Sequence, residues 1–227
     1  MGTVGDYGRQ ALDFIESLEG LATADAAMDA MAKGFGAFGF QTLIVTGLPN
    51  PDQRFEQVVM AKRWPAEWFE LYTAKRYIDV DPVARLCRNS LNPFEWSQAP
   101  YDPEREPRAL EVMRRAADFR MSNGFIVPIH GGGYDACISL GGDHLDLNTR
   151  SKPAIHLMAM YGFDRVRRLL VSGEWTMAAL IEISEQTLDH VKEKAGISGS
   201  VLVRRGPQRP LIDQYLVERR RVIAGRS

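Results

Sequence analysis

Four residues between Arg63 and Pro82 have the types and spacing from which a small-molecule site can be built: Trp64, Trp68, Tyr72 and Asp81, in the run RWPAEWFELYTAKRYIDVDP. Three aromatic rings can wall a cavity, and one carboxylate can accept a hydrogen bond inside it. Proline's fixed φ suits a first helical position, so Pro65 is expected to open a helix that sets Trp68 and Tyr72 one turn apart on one face. Trp64 then stands just ahead of the helix. Asp81 precedes Pro82, where the chain is biased to an extended form. A carboxylate among aromatic rings needs a donor, because a bare one in an apolar pocket is strongly penalised or shifts its pKa. The same residues also admit a plainer arrangement, in which the aromatics are core and Asp81 caps a short helix.

Other chemistries have less support. The four histidines, His130, His144, His156 and His190, are scattered, and there is no HExxH, no paired cysteine motif and no Gly-x-Ser-x-Gly elbow. We therefore expect no catalytic residue, no metal site and no cofactor; the chain does not read as an enzyme. Cys87 and Cys137 lie inside apolar runs and read as buried thiols of a reducing compartment. Gly131, Gly132 and Gly133 separate two β-type runs, which makes them a hairpin turn; a phosphate cradle would need a helix directly after. A net charge of -1 excludes a uniformly basic coat for nucleic acid.

The positioning elements follow from periodicity. At 227 residues and 45% hydrophobic composition, the chain can bury one substantial core with room for a small second module. The N-terminal stretch lacks a continuous apolar segment and no run is long enough to span a bilayer, so a cytoplasmic protein without membrane attachment is expected. Helices are predicted over Tyr7–Leu21, with Leu12, Ile15 and Leu18 on the apolar face and Phe14 beside them, and from a Thr23 cap through Phe35. Others are predicted over Pro65–Lys75, Pro82–Asn89, Arg108–Phe119, with Leu110, Met113 and Ala117 on one side, and Arg150–Leu170. Strands are predicted over Gln41–Leu48, Phe55–Arg63, Asn92–Ser97 with Trp96 inward, Phe125–His130 and Asp135–Leu140. Helices before, between and after five short strands, without βαβ regularity, imply an α/β/α sandwich around a mainly antiparallel sheet.

The ordered set W-x3-W-x3-Y-x8-DP, then Trp96 in FEW, then Gly124 in NGFIVPI, resembles the autoinducer-binding domain of LuxR-type quorum-sensing regulators, over residues 5–170. The resemblance implies an α/β/α sandwich enclosing an N-acyl-homoserine lactone between the sheet and one helical layer. It implies that Trp68 donates its indole N–H to the lactone carbonyl and that Asp81 accepts from the ligand amide. Tyr72 and Trp96 would wall the acyl and lactone portions, Ser139 would lie near the amide, and Gly124 would permit close packing. The ligand chemistry suits such a pocket: one charge-assisted hydrogen bond, worth roughly 1.5–3 kcal/mol, orients it while apolar burial supplies much of the affinity. Trp64 departs from the family, which usually has a tyrosine there whose hydroxyl meets the acyl carbonyl. An indole N–H still donates, but from a different place and with more bulk, so a short, branched or aromatic acyl chain is expected.

The resemblance thins beyond Leu170. Residues 174–227 read as a shortened helix-turn-helix segment with a basic tail, and Gln186, Thr187 and His190 would face DNA if its second helix entered a major groove. Glu182 stands where the family turn usually has glycine, and a non-glycine residue in a left-handed turn costs roughly 1–2 kcal/mol. From Arg204 onward seven arginines face only Asp213 and Glu218, a local net charge of +5 that would add salt-sensitive, sequence-blind affinity. Two functions are expected from this organisation. One is a lactone-responsive transcription regulator in quorum sensing, binding promoter DNA as a homodimer or heterodimer. The other is a ligand-binding homologue defective in DNA binding, which sequesters signal or forms inactive heterodimers.

Overall fold

Two capped helices open the chain in this computed structural model, which describes residues 6–131 and 134–172. Asp6 accepts from the Arg9 backbone N–H at 3.0 Å ahead of α1 (Tyr7–Glu19), and Thr23 accepts from that of Ala26 at 3.2 Å ahead of α2 (Ala24–Gly36). Each side chain satisfies one of the donors that a helix start leaves unpaired. The face of α1 that is buried carries Ala11, Phe14 and Leu18, whereas Leu12 is 64% exposed. Of the predicted residues Phe14 and Leu18 are buried and Leu12 turns out, because Gly34 on α2 admits the Phe14 ring: a Cβ there would lie 2.6 Å from it.

Five strands follow in the order β2-β1-β5-β4-β3, every pairing antiparallel. They are β1 (Thr42–Gly47), β2 (Val59–Arg63), β3 (Phe94–Glu95), β4 (Asn123–Gly131) and β5 (Tyr134–Gly142). β4 and β5 form the expected glycine hairpin, with Gly131 paired to Tyr134. Two predicted strands are shorter than expected. Phe55–Val58 is a helical turn, α3, and Trp96–Gln98 is a 3-10 turn directly after β3. One cause serves both: a glutamine three residues on, Gln57 or Gln98, accepts from the backbone N–H of Arg54 (2.9 Å) or Glu95 (2.8 Å). That local bond competes with the sheet ladder.

The sheet is buried on both faces, as the unbroken burial of β1 requires. Ile44, Ile126, Cys137 and Ser139 face the layer of α4 (Ala66–Ala74), α5 (Pro82–Cys87) and α6 (Pro107–Ala117). Leu43, Val45, Val127, Ile138 and Leu140 are buried on the other face. There α1 and α2 pack with α7 (residues 151–172), the last helix among the described residues, through Gly34 beside Met158 and Gly162 beside Met31. On α6 the buried positions are Ala109, Val112 and Ala116, one residue away from the predicted Leu110, Met113 and Ala117. The architecture is the α/β/α sandwich around an antiparallel five-stranded sheet. The chain divides into two compact units, Met1–Leu169 and Leu170–Ser227. The expected helix-turn-helix segment, with Gln186, Thr187 and His190, and the basic tail lie outside the described residues.

His130, at the end of β4, ties the sheet to the end of α5: its Nε2 lies 2.9 Å from the Ser90 carbonyl oxygen and its Nδ1 2.7 Å from Asp135. The Asp135 hydrogen bond, opposed by partial burial, raises the His130 pKa above its ordinary 6.5. A raised histidine pKa stabilises the fold fully below its unfolded value and loses that contribution as pH rises through the folded one. Urea midpoints should therefore fall more as pH rises above about 6.5 in the wild type than in His130→Gln; parallel pH profiles would remove this role from His130.

Candidate ligand site

The aromatic wall begins where Arg63 anchors the end of β2. Its guanidinium donates to Asp25 Oδ1 at 2.6 Å and Asp29 Oδ1 at 2.8 Å, both on α2. Pro65 follows with φ -54° and ψ 137°, the extended form of an N-cap, so α4 starts at Ala66 and the proline stands just outside the helix instead of at its first position. The consequence for spacing is the expected one. Trp68 and Tyr72, 2% and 3% exposed, share a face with ring centroids 5.6 Å apart at 65°. Trp64 packs edge-on against Tyr72 at 5.3 Å, and Phe55 from α3 closes on the same ring at 5.1 Å.

After α4 the chain must turn back to bring its carboxylate to this wall. Arg76 does so with φ 51°, a left-handed conformation uncommon for a residue with a Cβ. The 3-10 turn Tyr77–Asp79 follows, and the Tyr77 hydroxyl donates to Glu111 Oε1 at 2.7 Å, fastening the turn to α6. Burial, then the Glu111 hydrogen bond and charge, push the Tyr77 pKa up to about 12, so it remains a donor. Asp81 comes next as the N-cap of α5, with Pro82 at the start of the helix. Its Oδ1 accepts from the backbone N–H groups of Val83 (2.8 Å) and Ala84 (3.4 Å), and its Oδ2 accepts from the Tyr72 hydroxyl at 2.8 Å. The two sequence readings of Asp81, helix cap and cavity carboxylate, are both realised in one side chain.

The sheet supplies the floor. Ser139 on β5 pairs with Ile44 on β1 and with Ile126 on β4, so the three form one row across the face. Four residues on from Cys137, Gly141 pairs with Gly124, and the Trp96 ring lies over this glycine pair. A Cβ on Gly124 would stand 2.1 Å from Trp96 Cε2, and one on Gly141 would stand 3.0 Å from Cη2. Trp64, Trp68, Tyr72, Asp81, Trp96 and Ser139 all line one cavity of about 50 Å³. Sequence reasoning missed Phe55, Ile78, Met113 and Cys137 as further lining. Their only advance signal was apolar character, which core residues share.

A model of the autoinducer binding domain matches residues 23–166. The transcriptional activator BjaR1 of Bradyrhizobium diazoefficiens is 70% identical over 166 residues, covering 73% of this chain and 69% of that protein. The chain belongs to the LuxR-type autoinducer-binding family. The quorum-sensing-dependent transcriptional regulator RpaR of Rhodopseudomonas palustris is 37% identical over 163 residues, covering 72% of this chain and 67% of its own. Among solved structures, the N-acylhomoserine-lactone-dependent factor CepR2 of Burkholderia cenocepacia superposes with a TM-score of 0.58 at 18% identity, covering 74% of this chain and 99% of that one. At that identity the likeness speaks for the fold.

Electrostatics set what this LuxR-type ligand domain can do. Burial raises the Asp81 pKa, while the Tyr72, Val83 and Ala84 hydrogen bonds pull it down. Burial first, then the charge and hydrogen bond of Asp81, push the Tyr72 hydroxyl well above its ordinary value, so it stays protonated and donates. An ionised carboxylate offers about four lone-pair directions. Asp81 uses three toward Tyr72, Val83 and Ala84, which leaves one on Oδ2 for a further donor. The Cys137 thiol is pushed well up, chiefly by its hydrogen bond with the Cys87 thiol and then by burial. It stays a thiol and is a poor nucleophile.

Proposed function

We propose that the chain is an acyl-homoserine lactone receptor whose occupied cavity regulates transcription in quorum sensing. Asp81 carries the reading: a buried carboxylate with one acceptor direction left over, in an otherwise largely apolar cavity, suits the single amide N–H of such a ligand. Trp68 donates to the lactone carbonyl, Tyr72 and Trp96 wall the acyl and lactone parts, Ser139 lies by the amide, and Trp64 limits the acyl end. The two curated relatives named above are transcriptional regulators, which supports the regulatory reading and does not favour a signal-sequestering protein. In this reading residues 174–227 contact promoter DNA through Gln186, Thr187 and His190, and the protein acts as a homodimer or with a related regulator. Among the described residues no helix is long and apolar enough to cross a membrane.

The cavity volume, about 50 Å³, is well below the roughly 300–1,000 Å³ of small-molecule pockets. Binding therefore moves the wall formed by Phe55, Trp64 and Tyr72 outward, and this couples occupancy to the packing of the α4–α6 layer. The test is expression with and without a panel of acyl-homoserine lactones, followed by mass analysis of what co-purifies. One lactone with a short, branched or aromatic acyl chain should be retained and raise the melting temperature; failure of every lactone to bind or stabilise the protein sinks the receptor reading. A gel shift with loaded protein then decides the output: specific, salt-tolerant retardation of a promoter fragment supports the regulator, and only weak, salt-labile binding counts against it.

A further inference from the structure

We infer that Trp96 is a hydrogen-bond donor to the ligand, its indole N–H meeting an oxygen of the lactone ring, in addition to being an aromatic wall. The inference rests on the receptor reading above and deepens it. Among the described residues only two buried side-chain polar atoms have no hydrogen-bond partner, Trp96 Nε1 and Arg165 Nε. Arg165 keeps other bonds, since its Nη2 donates to the carbonyls of Glu19 and Leu21. Trp96 has one polar atom, and that atom is the unpartnered one. Buried N–H groups are nearly always paired, and one left over in a cavity wall marks the place of an acceptor that arrives with a ligand.

The ring is held where it is by the backbone beneath it. Gly124 and Gly141 face each other across β4 and β5, and a Cβ on Gly124 would come within 2.1 Å of Cε2, the ring carbon bonded to Nε1. Trp96 is 8% exposed and enters from the 3-10 turn after β3, which is itself pinned by the bond from Glu95 N–H to Gln98. Phenylalanine in that place keeps an aromatic ring but loses the N–H together with part of the ring area over Gly124 and Gly141, and the lost area weighs on both ligand types alike. Ser139 and Cys137 lie two and four residues back along β5 from Gly141, on the same face, and the Asp81 charge acts on Cys137. A ligand anchored on Asp81 by its amide can thus extend its ring along this face toward Trp96. The lactone ring presents two oxygens, so Trp68 and Trp96 need not compete for one lone pair.

The experiment compares N-butanoyl- and N-octanoyl-homoserine lactone with the N-acyl-cyclopentylamides of the same chain lengths, which have no ring oxygen. Dissociation constants are measured by calorimetry on the full chain and on Trp96→Phe. The variant should lose about tenfold more affinity for the lactones than for the cyclopentylamides. Equal losses for both ligand types, or no loss for either, overturn the hydrogen bond while leaving the receptor reading intact. If the wild type binds neither these lactones nor any branched or aromatic one, the receptor reading falls and this inference falls with it. A second measurement does not depend on the variant folding: in wild-type protein labelled with 15N-tryptophan, two indole N–H resonances, those of Trp68 and Trp96, should move downfield with lactone and stay in place with cyclopentylamide, and movement of only one refutes the inference. Identical indole spectra with both ligands refute the inference.

Discussion

Replacing Asp81 by asparagine will lower lactone affinity by more than about tenfold while leaving the unliganded fold at least as stable as the wild type. The two effects separate because Asp81 does two jobs with different oxygens. Asparagine is as good an N-cap as aspartate, so its Oδ1 can keep the bonds from the Val83 and Ala84 N–H groups. Its amide nitrogen then takes the place of Oδ2 and can donate to the Tyr72 hydroxyl, which accepts. A ligand amide arriving at the same point meets a donor where it needs an acceptor, and the charge-assisted bond is lost. The pH dependence follows from the sign of the shift. Burial raises the folded pKa of Asp81 above 3.8, so its contribution to stability is present below that value and declines as pH rises through the folded one. Urea midpoints of Asp81→Asn minus wild type should accordingly grow as pH increases from about 4 and then level off. Calorimetric titration with the retained lactone supplies the affinity, and equal affinities would place the amide contact elsewhere.

Gly124→Ala should be the most damaging small substitution in the sheet. The new methyl would lie 2.1 Å from Trp96 Cε2, 2.2 Å from Cδ2 and 2.6 Å from the Leu140 carbonyl oxygen, so neither a rigid ring nor a central strand can yield cheaply. Overpacking of this kind typically costs about 1–3 kcal/mol, and here it also displaces a cavity wall. We expect a lower denaturation midpoint together with loss of lactone binding. Trp96→Ala by itself costs about 3–5 kcal/mol, but it removes the clash with the ring, so adding Gly124→Ala in that background should cost less than it does in the wild type. A Gly124→Ala protein as stable as the wild type would show that the ring is not seated on this glycine.

These two positions show where sequence reasoning reaches and where it ends. The spacing Trp68–Tyr72 is helical arithmetic, and one helix was enough to put both rings on one face. Asp81 before Pro82 is equally local, since a carboxylate ahead of proline at a helix start is a capping signature whatever lies around it. The glycine hairpin and the sandwich class follow from patterns of the same short range. The exposed Leu12 and the shifted face of α6 were misjudged, because which apolar residue turns inward depends on the partner helix. Gly34 opened a slot that centres the buried face of α1 on Phe14 and turns Leu12 out, a choice that periodicity alone could not make. Likewise Gln57 and Gln98 ended or delayed strands through side-chain bonds that compete with a ladder, and hydropathy patterns do not see that competition.

By itself, then, the sequence determined the site's chemistry: aromatic rings, one carboxylate and a small-residue strand in an order that belongs to one family. Only the tertiary structure decided that Asp81 is cap and acceptor at once, that Phe55 and Cys137 join the wall, and that the Trp96 N–H is left without a partner. The physical reason is range. Helix spacing and capping are settled within four residues, whereas a leftover lone pair or an orphaned donor is defined only after segments distant in the chain have packed and used every other hydrogen bond they can reach.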